Sequence, residues 1–114
     1  MQVIVTGAGG FVGRELVGRL LAQGHDVTAV DVHAAGIPAG ARAVLGDLGD
    51  LALRAEAIAG GCDALIHLAT VPGGAAEADP AESRRINIDA FYDLLLEVSQ
   101  RSPGLRVLYA SSIA

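Results

Sequence analysis

A glycine-rich turn between an apolar strand and an amphipathic helix constrains this chain more than any other stretch. Residues 3–5, Val-Ile-Val, are typical of a short buried strand, and residues 11–21 carry apolar side chains three and four positions apart, as a helix does. Between them the glycine spacing is G-x-x-G-x-x-G, through Gly7, Gly10 and Gly13. Such a turn lets backbone N–H groups approach an anion, and the helix N-terminus adds unpaired donors and partial positive charge. The stretch therefore predicts a phosphate-binding turn.

Three glycines and one acid have separate predicted roles around this turn. Gly7 allows the tight turn, Gly10 lets a pyrophosphate approach the backbone, and Gly13 lets the helix pack closely on the strand. Asp31 follows a second strand-like run and lies eighteen residues past Gly13. An acid at about 20 residues accepts hydrogen bonds from the adenosine ribose and repels a 2′-phosphate. The pattern predicts NAD, with NADP disfavoured; the alternative is a solvated Asp31 that only caps a loop.

Composition narrows the class of protein. The chain has 114 residues, the usual size of one domain, and 52% of them are hydrophobic, which excludes general disorder. The net charge of −5 and the lack of a basic run argue against a nucleic-acid partner. No apolar run reaches the roughly 18 residues of a membrane span, and no signal peptide is recognisable, so we predict a cytoplasmic protein. Cys62 is the single cysteine and has no metal-ligand pattern around it, so no metal is predicted.

Strands alternate with helices along the chain. Strands are predicted at 2–6, 26–31, 42–45, 64–68 and 106–110, and helices at 10–23, 51–59 and 80–101. Strands that are apolar on both faces indicate a parallel sheet covered by helices on each side. Right-handed crossovers then give a doubly wound α/β sheet ordered 3-2-1-4-5, with the ligand crevice at the strand 1/4 switch point. Five turns meet at the carboxyl ends: Gly7 to Gly13, Asp31, Asp47-Leu48, His67 to Thr70, and Ser111-Ser112.

At these same positions the sequence resembles the extended short-chain dehydrogenase/reductase family, in its NAD-dependent epimerase/dehydratase group. The likeness spans all 114 residues, in order. Residues 67–78 and 85–89 are similar to those of sugar-acid dehydrogenases that act on D-erythronate and related compounds. The positions that carry the family resemblance are 6–13, Asp31, 46–48, 67–69, Asn87 and 110–112.

The resemblance implies a role for each matching position. Ser112 aligns with the catalytic Ser/Thr that hydrogen-bonds the substrate hydroxyl or carbonyl, and Ser111 is the nearby alternative for that role. Where Ser112 is the catalytic residue, Ser111 would lie at the cofactor. Asp47 would accept a hydrogen bond from the adenine amino group. The other implied cofactor-binding positions are the backbone of Phe11 and Val12 at the pyrophosphate, Asp31 at the ribose, Leu48 beside the adenine, Leu68, Ala69 and Thr70 along the adenosine and nicotinamide ribose, and Asn87 on the long helix.

Structural alternatives stand beside these roles. Asp47 could cap a turn, Asn87 could tie down a loop, and the two serines could be ordinary polar residues at a strand end. His67 ends an apolar strand, and we interpret it as a packed or hydrogen-bonded histidine rather than a base.

The chain departs from the family in its acid–base residues. Family members use a Tyr-x-x-x-Lys pair, in which lysine lowers the pKa of tyrosine; a phenol near pKa 10 is otherwise a poor base. Here all eight basic residues are arginines, and Leu96 and Ile113 stand four residues after Tyr92 and Tyr109. We therefore expect the nucleotide-binding part of a longer enzyme, truncated after strand five and inactive alone, without the catalytic Tyr/Lys segment or the substrate lobe.

The resemblance implies hydride transfer between NAD and a hydroxyl carbon of a sugar or sugar-acid substrate, with the long helix contributing to a homodimer. The alternative is a non-catalytic dinucleotide-binding or redox-sensing module of the same fold. A purely structural α/β domain conflicts with the five turns that meet at one edge.

Overall fold

The computed structural model describes residues 1–70 and 77–110. Over these residues the strands are β1 (Gln2–Thr6), β2 (Asp26–Asp31), β3 (Arg42–Leu45), β4 (Ala64–His67) and β5 (Arg106–Tyr109). The helices are α1 (Phe11–Ala22), α2 (Leu51–Ile58), α3 (Pro80–Arg84), a π-helical segment (Arg85–Ala90) and α4 (Phe91–Arg101). The strands form a parallel sheet in the order β3-β2-β1-β4-β5. The predicted α/β class and strand order are confirmed.

The sheet buries both of its faces because the central strand is apolar at every position between its two polar ends. Alternate residues of a strand point to opposite faces. Val3 and Val5 belong to the core on the side of α1, with Val17 of that helix. Ile4 belongs to the core on the other side, together with Leu53 of α2 and Leu94 of α4. One strand therefore supplies side chains to two helical layers, as the continuous apolar run predicts.

Most predicted bounds agree with the structure, and the long helix differs most. Asp79 caps its start, since its side chain accepts a hydrogen bond from the Glu82 N–H at 3.1 Å, and Pro80 occupies the first turn. The helical path then widens into a π segment at Arg85–Ala90 before α4 begins. A period of 3.6 residues cannot reveal such a segment, which is frequent at functional sites in proteins.

A buried arginine joins two helices and the loop after β3. Arg54 of α2 is 5% exposed, and its Nε donates to Glu97 of α4 at 2.6 Å. Its Nη1 donates to the carbonyl of Leu48 at 2.8 Å. A buried guanidinium needs partners for its donors. The hydrogen bond of Arg54 to the Leu48 carbonyl therefore fixes the loop after β3 against α2.

The edge strand β5 has exposed apolar side chains. Val107, Leu108 and Tyr109 of β5 are 42%, 58% and 48% exposed. In the described part of the chain, no helix has both the length and the apolar character needed to cross a bilayer.

Candidate functional site

A cavity of about 560 Å³ opens at the carboxyl ends of the strands. It is bounded by the turn after β1, the ends of β2, β3 and β4, and the start of the long helix. The predicted site residues that line it are Gly7, Gly10, Asp31, Asp47, Leu48, Leu68, Ala69 and Thr70. The switch-point topology thus brings together residues that are far apart in the sequence.

The glycine turn is built as the spacing predicts. Gly7 has φ +68°, and a Cβ there would lie 2.9 Å from the backbone nitrogen of Ala69. A Cβ on Gly13 would overlap the carbonyl oxygen of Gly7, so only glycine lets α1 approach the turn this closely. Both positions therefore require glycine, one for its backbone conformation and one for space.

The N-terminus of α1 is left open. Gly10 is the N-cap and has no side chain to bond the first helical N–H groups, and the first turn holds no acidic residue. At a helix N-terminus, an anion accepts hydrogen bonds from N–H groups of this kind. The side chains of Phe11 and Val12 are 84% and 62% exposed, and the contact of their backbone with a phosphate stays a prediction.

Asp31 is half-buried at the end of β2 and is already bonded to the glycine turn. Its Oδ2 accepts a hydrogen bond from the Gly9 N–H at 2.9 Å, and its Oδ1 accepts one from the Val32 N–H at 2.6 Å. A carboxylate offers about four lone-pair positions, two on each oxygen. Within the described parts of the chain, one position therefore remains on each oxygen of Asp31. The bond to Gly9 also means that Asp31 shapes the turn as well as the cavity.

Asp47 follows β3 and forms a two-pronged ion pair with Arg85 of the π segment. Arg85 Nη1 donates to Oδ1 at 3.0 Å and Nη2 donates to Oδ2 at 2.7 Å, while the Gly49 N–H donates to Oδ1 at 2.7 Å. The Arg85 hydrogen bonds, and then the one from Gly49, lower the pKa of Asp47, which keeps it ionised. The turn-capping bond to Gly49 shows that the structural alternative for Asp47 coexists with its place in the cavity.

Arg85 also lines the cavity and was not among the predicted site residues. Its guanidinium pairs with Glu82 as well, at 2.7 Å. The only sequence signal was an arginine near the start of the long helix, and which carboxylate it reaches depends on how that helix packs across the sheet.

His67 is a packed, neutral histidine, as interpreted from the sequence. The Thr6 hydroxyl oxygen accepts hydrogen bonds from the N–H groups of Leu68 and Ala69, at 3.0 and 3.2 Å. Its own proton is then directed to Nδ1 of His67, 2.8 Å away, which places the imidazole proton on Nε2. Burial lowers the pKa of His67 to about 4, and the ring stacks on Phe91 with centroids 4.2 Å apart.

Asn87 is a predicted site residue that lies away from the cavity lining. Asn87 sits in the π segment and its Nδ2 donates to the Ser83 hydroxyl at 3.2 Å; it does not line the cavity. Ser83 belongs to α3, so this contact does not decide between a cofactor role for Asn87 and the alternative in which it ties down a loop. Ser111 and Ser112 lie outside the described residues, so their roles remain predictions.

Comparison with known proteins agrees with this geometry. The chain is 38% identical to D-erythronate dehydrogenase of Cupriavidus necator over 130 aligned positions, which cover 100% of this chain and 39% of that enzyme. A short-chain dehydrogenase/reductase superfamily protein from Agrobacterium tumefaciens, solved with bound NAD, has a TM-score of 0.85 and 33% identity over 98% of this chain and 33% of its own. The UDP-glucose 4-epimerase of Thermus thermophilus, solved with NAD, has a TM-score of 0.81 and 28% identity over 89% of this chain and 34% of its own.

The chain therefore spans between about a third and two-fifths of the length of these relatives. The similarity to a dehydrogenase acting on D-erythronate, predicted from residues 67–78 and 85–89, is confirmed as a similarity. The family model of the NAD dependent epimerase/dehydratase family matches residues 3–114 of this chain. Cavity, glycine turn and sequence agree, and this chain belongs to the NAD-dependent epimerase/dehydratase family.

Proposed function

We propose that this chain binds NAD in the cavity at the carboxyl ends of its strands, and that it is the cofactor-binding part of an oxidoreductase or epimerase. The observation that carries the proposal is an uncapped helix N-terminus beside a cavity that Gly10, Asp31 and Asp47 line. The open N–H groups suit a pyrophosphate, and the two carboxylates suit the donor groups of adenosine. NAD is also the cofactor in the solved structures of two relatives.

Each part of the dinucleotide has a candidate partner. The backbone N–H groups at Phe11 and Val12 would bind the pyrophosphate, with Gly10 giving it access. The two acceptor positions left on Asp31 match in number the two hydroxyls of the adenosine ribose. A 2′-phosphate would place negative charge against Asp31, which favours NAD over NADP.

Bound NAD supplies a nicotinamide that accepts or donates hydride. The substrate we propose is a sugar or sugar acid, since the relatives include enzymes named for D-erythronate and UDP-glucose. Ser112 would orient the substrate hydroxyl, with Ser111 beside it. The Tyr/Lys pair that the family uses as its general base is what these 114 residues do not provide, because they contain no lysine to activate a tyrosine. The domain assignment that follows is a nucleotide-binding domain over residues 1–114, with acid–base chemistry supplied from outside them.

The missing lysine also favours a second candidate, a dinucleotide-binding module without catalysis. The two candidates share the cofactor site and differ in turnover. We propose that the 114-residue chain, supplied with NAD, produces neither NADH from D-erythronate nor the 4-epimer of UDP-glucose. Turnover by this chain would contradict both the second candidate and the requirement for an outside base.

The cofactor proposal is tested by calorimetric titration of the chain with NAD and with NADP. Saturable binding that favours NAD is expected. Asp31→Asn should weaken NAD binding by about tenfold or more, because hydrogen bonds to a charged group contribute roughly 1.5–3 kcal/mol each. Asp26→Asn is the matched control, since it makes the same change at the opposite end of the same strand.

Two results would count against the proposal. One is the absence of NAD binding by a chain that circular dichroism shows to be folded. The other is equal loss of affinity in Asp31→Asn and Asp26→Asn, which would indicate a general charge effect rather than a ribose contact.

A further inference from the structure

We infer that Arg85 is a positioning residue for base recognition, which orients the Asp47 carboxylate so that it accepts one hydrogen bond from a 6-amino purine. The inference rests on the proposed NAD site and deepens it. Arg85 comes from the π segment of the long helix, whereas Asp47 comes from the loop after β3, so their contact closes one wall of the cavity.

Counting acceptor positions shows what the pair leaves open. Oδ1 of Asp47 accepts from the Gly49 N–H at 2.7 Å and from Arg85 Nη1 at 3.0 Å, which uses both of its lone pairs. Oδ2 accepts from Arg85 Nη2 at 2.7 Å, which uses one. With respect to the residues that the structure describes, a single acceptor position remains, on Oδ2.

The guanidinium is itself held from several sides. Glu82, one helical turn before Arg85, accepts from its Nε at 2.8 Å and from its Nη2 at 2.7 Å. A Cβ on Gly49 would overlap Arg85 Nη1, so the glycine leaves the space that the guanidinium occupies. On the other side of the loop, Arg54 bonds the Leu48 carbonyl. The loop that carries Asp47 is therefore fixed by one arginine from α2 and by another from the π segment.

A fixed carboxylate discriminates between purines, whereas a rotating one does not. Adenine presents a 6-amino donor, and hypoxanthine presents a 6-oxo acceptor with a donor on the neighbouring N1. One acceptor position at a set place accepts from the amino group and repels the oxo group. A carboxylate freed from Arg85 can turn and accept from the N1–H of hypoxanthine instead. Specificity then depends on the arginine, although the arginine does not carry the acceptor.

The test compares NAD with its analogue that carries hypoxanthine in place of adenine. The wild-type chain should bind NAD about tenfold or more tightly than the hypoxanthine analogue. This ratio is the expected effect of one hydrogen bond to the charged carboxylate, which the 6-amino group of adenine makes and the 6-oxo group of hypoxanthine does not. In Arg85→Gln this preference should fall below about threefold. Arg84→Gln is the matched control, because it removes the same charge from the neighbouring, 74% exposed position and should leave the preference unchanged.

A second variant separates geometry from charge. Gly49→Ala keeps every charge, but its Cβ would displace the guanidinium and would also lie 3.0 Å from Asp47 Oδ1, so it should lower the preference in the same direction as Arg85→Gln. In the Asp47→Asn background, Arg85→Gln should lower the preference no further, since the positioned group is already gone. Thermal unfolding of each variant identifies any that fail to fold, and Gly49→Ala then tests the inference without loss of the arginine.

The outcomes are distinguishable. Equal weakening of both nucleotides by Arg85→Gln, with the preference intact, overturns the inference and leaves the NAD site standing, since the arginine would then act only by charge. No binding of NAD by the wild-type chain overturns the proposed function and the inference together. Loss of preference in Arg85→Gln and Gly49→Ala, but not in Arg84→Gln, supports the inference.

Discussion

Acidification should destabilise this chain through His67 at pH values where its carboxylates are still ionised. Burial lowers the pKa of His67 from 6.5 to about 4. At pH values between these two, the unfolded chain binds a proton at His67 that the folded chain does not bind. Stability therefore rises with pH between about 4 and 6.5, and it is lost as the pH falls through that window. The full effect is about 3 kcal/mol, since one pKa unit corresponds to about 1.4 kcal/mol.

Between about pH 7.5 and pH 5.5, integration of this linkage gives a loss of about 1.3 kcal/mol in the free energy of unfolding. With a urea m-value of about 1–1.5 kcal/mol/M for a chain of this size, the midpoint should move down by about 1 M. Urea unfolding followed by circular dichroism at the two pH values measures the shift.

His67→Asn removes the titration but keeps an oxygen that can accept from the Thr6 hydroxyl, 2.8 Å from Nδ1 in the native chain. The variant should be less stable at both pH values, yet it should lose most of the midpoint shift. His33→Asn, in an exposed loop, is the control and should retain the shift. An equal shift in wild type and His67→Asn would refute the assignment of this pH dependence to His67.

Two further predictions concern folding energetics, and both are measured by urea unfolding. Gly13→Ala should lower the free energy of unfolding by about 3 kcal/mol or more, because the added Cβ would overlap the Gly7 carbonyl. Gly18→Ala on the same helix has open space around the added Cβ and should raise the free energy of unfolding by about 1 kcal/mol. Equal effects of the two substitutions would contradict the close approach of α1 to the glycine turn. Arg54→Ala should lower the free energy of unfolding by about 3 kcal/mol, because it leaves Glu97 without its buried partner. Arg101→Ala, at an exposed position, should lower it by under about 1 kcal/mol. Comparable losses in the two variants would argue against a structural role for the pair of Arg54 and Glu97.

The sheet could be predicted because its signals are local. Each strand is a short, mostly apolar run, and β1, β2 and β3 have the predicted bounds. Right-handed crossovers leave few arrangements for five such strands, so the observed order follows from the alternation of elements. The glycine turn is equally local, because the spacing of Gly7 and Gly13 records a backbone conformation and a close approach within one βα unit.

The long helix shows where local signals fail. Its apolar spacing predicts one helix over 80–101, but the structure inserts a π segment at Arg85–Ala90. A π segment changes which side chains face the sheet without changing composition, and it is tolerated only where the surrounding packing supports it. Arg85 lies at the start of this segment, and no spacing rule in the sequence links it to Asp47, 38 positions earlier.

The sequence by itself determined the parallel sheet, the phosphate-binding turn and the acid at the end of β2, because each depends on residues that are neighbours along the chain or on a topology with few alternatives. Only the tertiary structure decided that Arg85 and Gly49 occupy three of the four acceptor positions of Asp47, and that Thr6 sets the tautomer of His67. The physical reason is that hydrogen bonds and ion pairs depend on distances of a few tenths of an ångström between side chains from different elements. Those distances are set by packing, which sequence spacing does not encode.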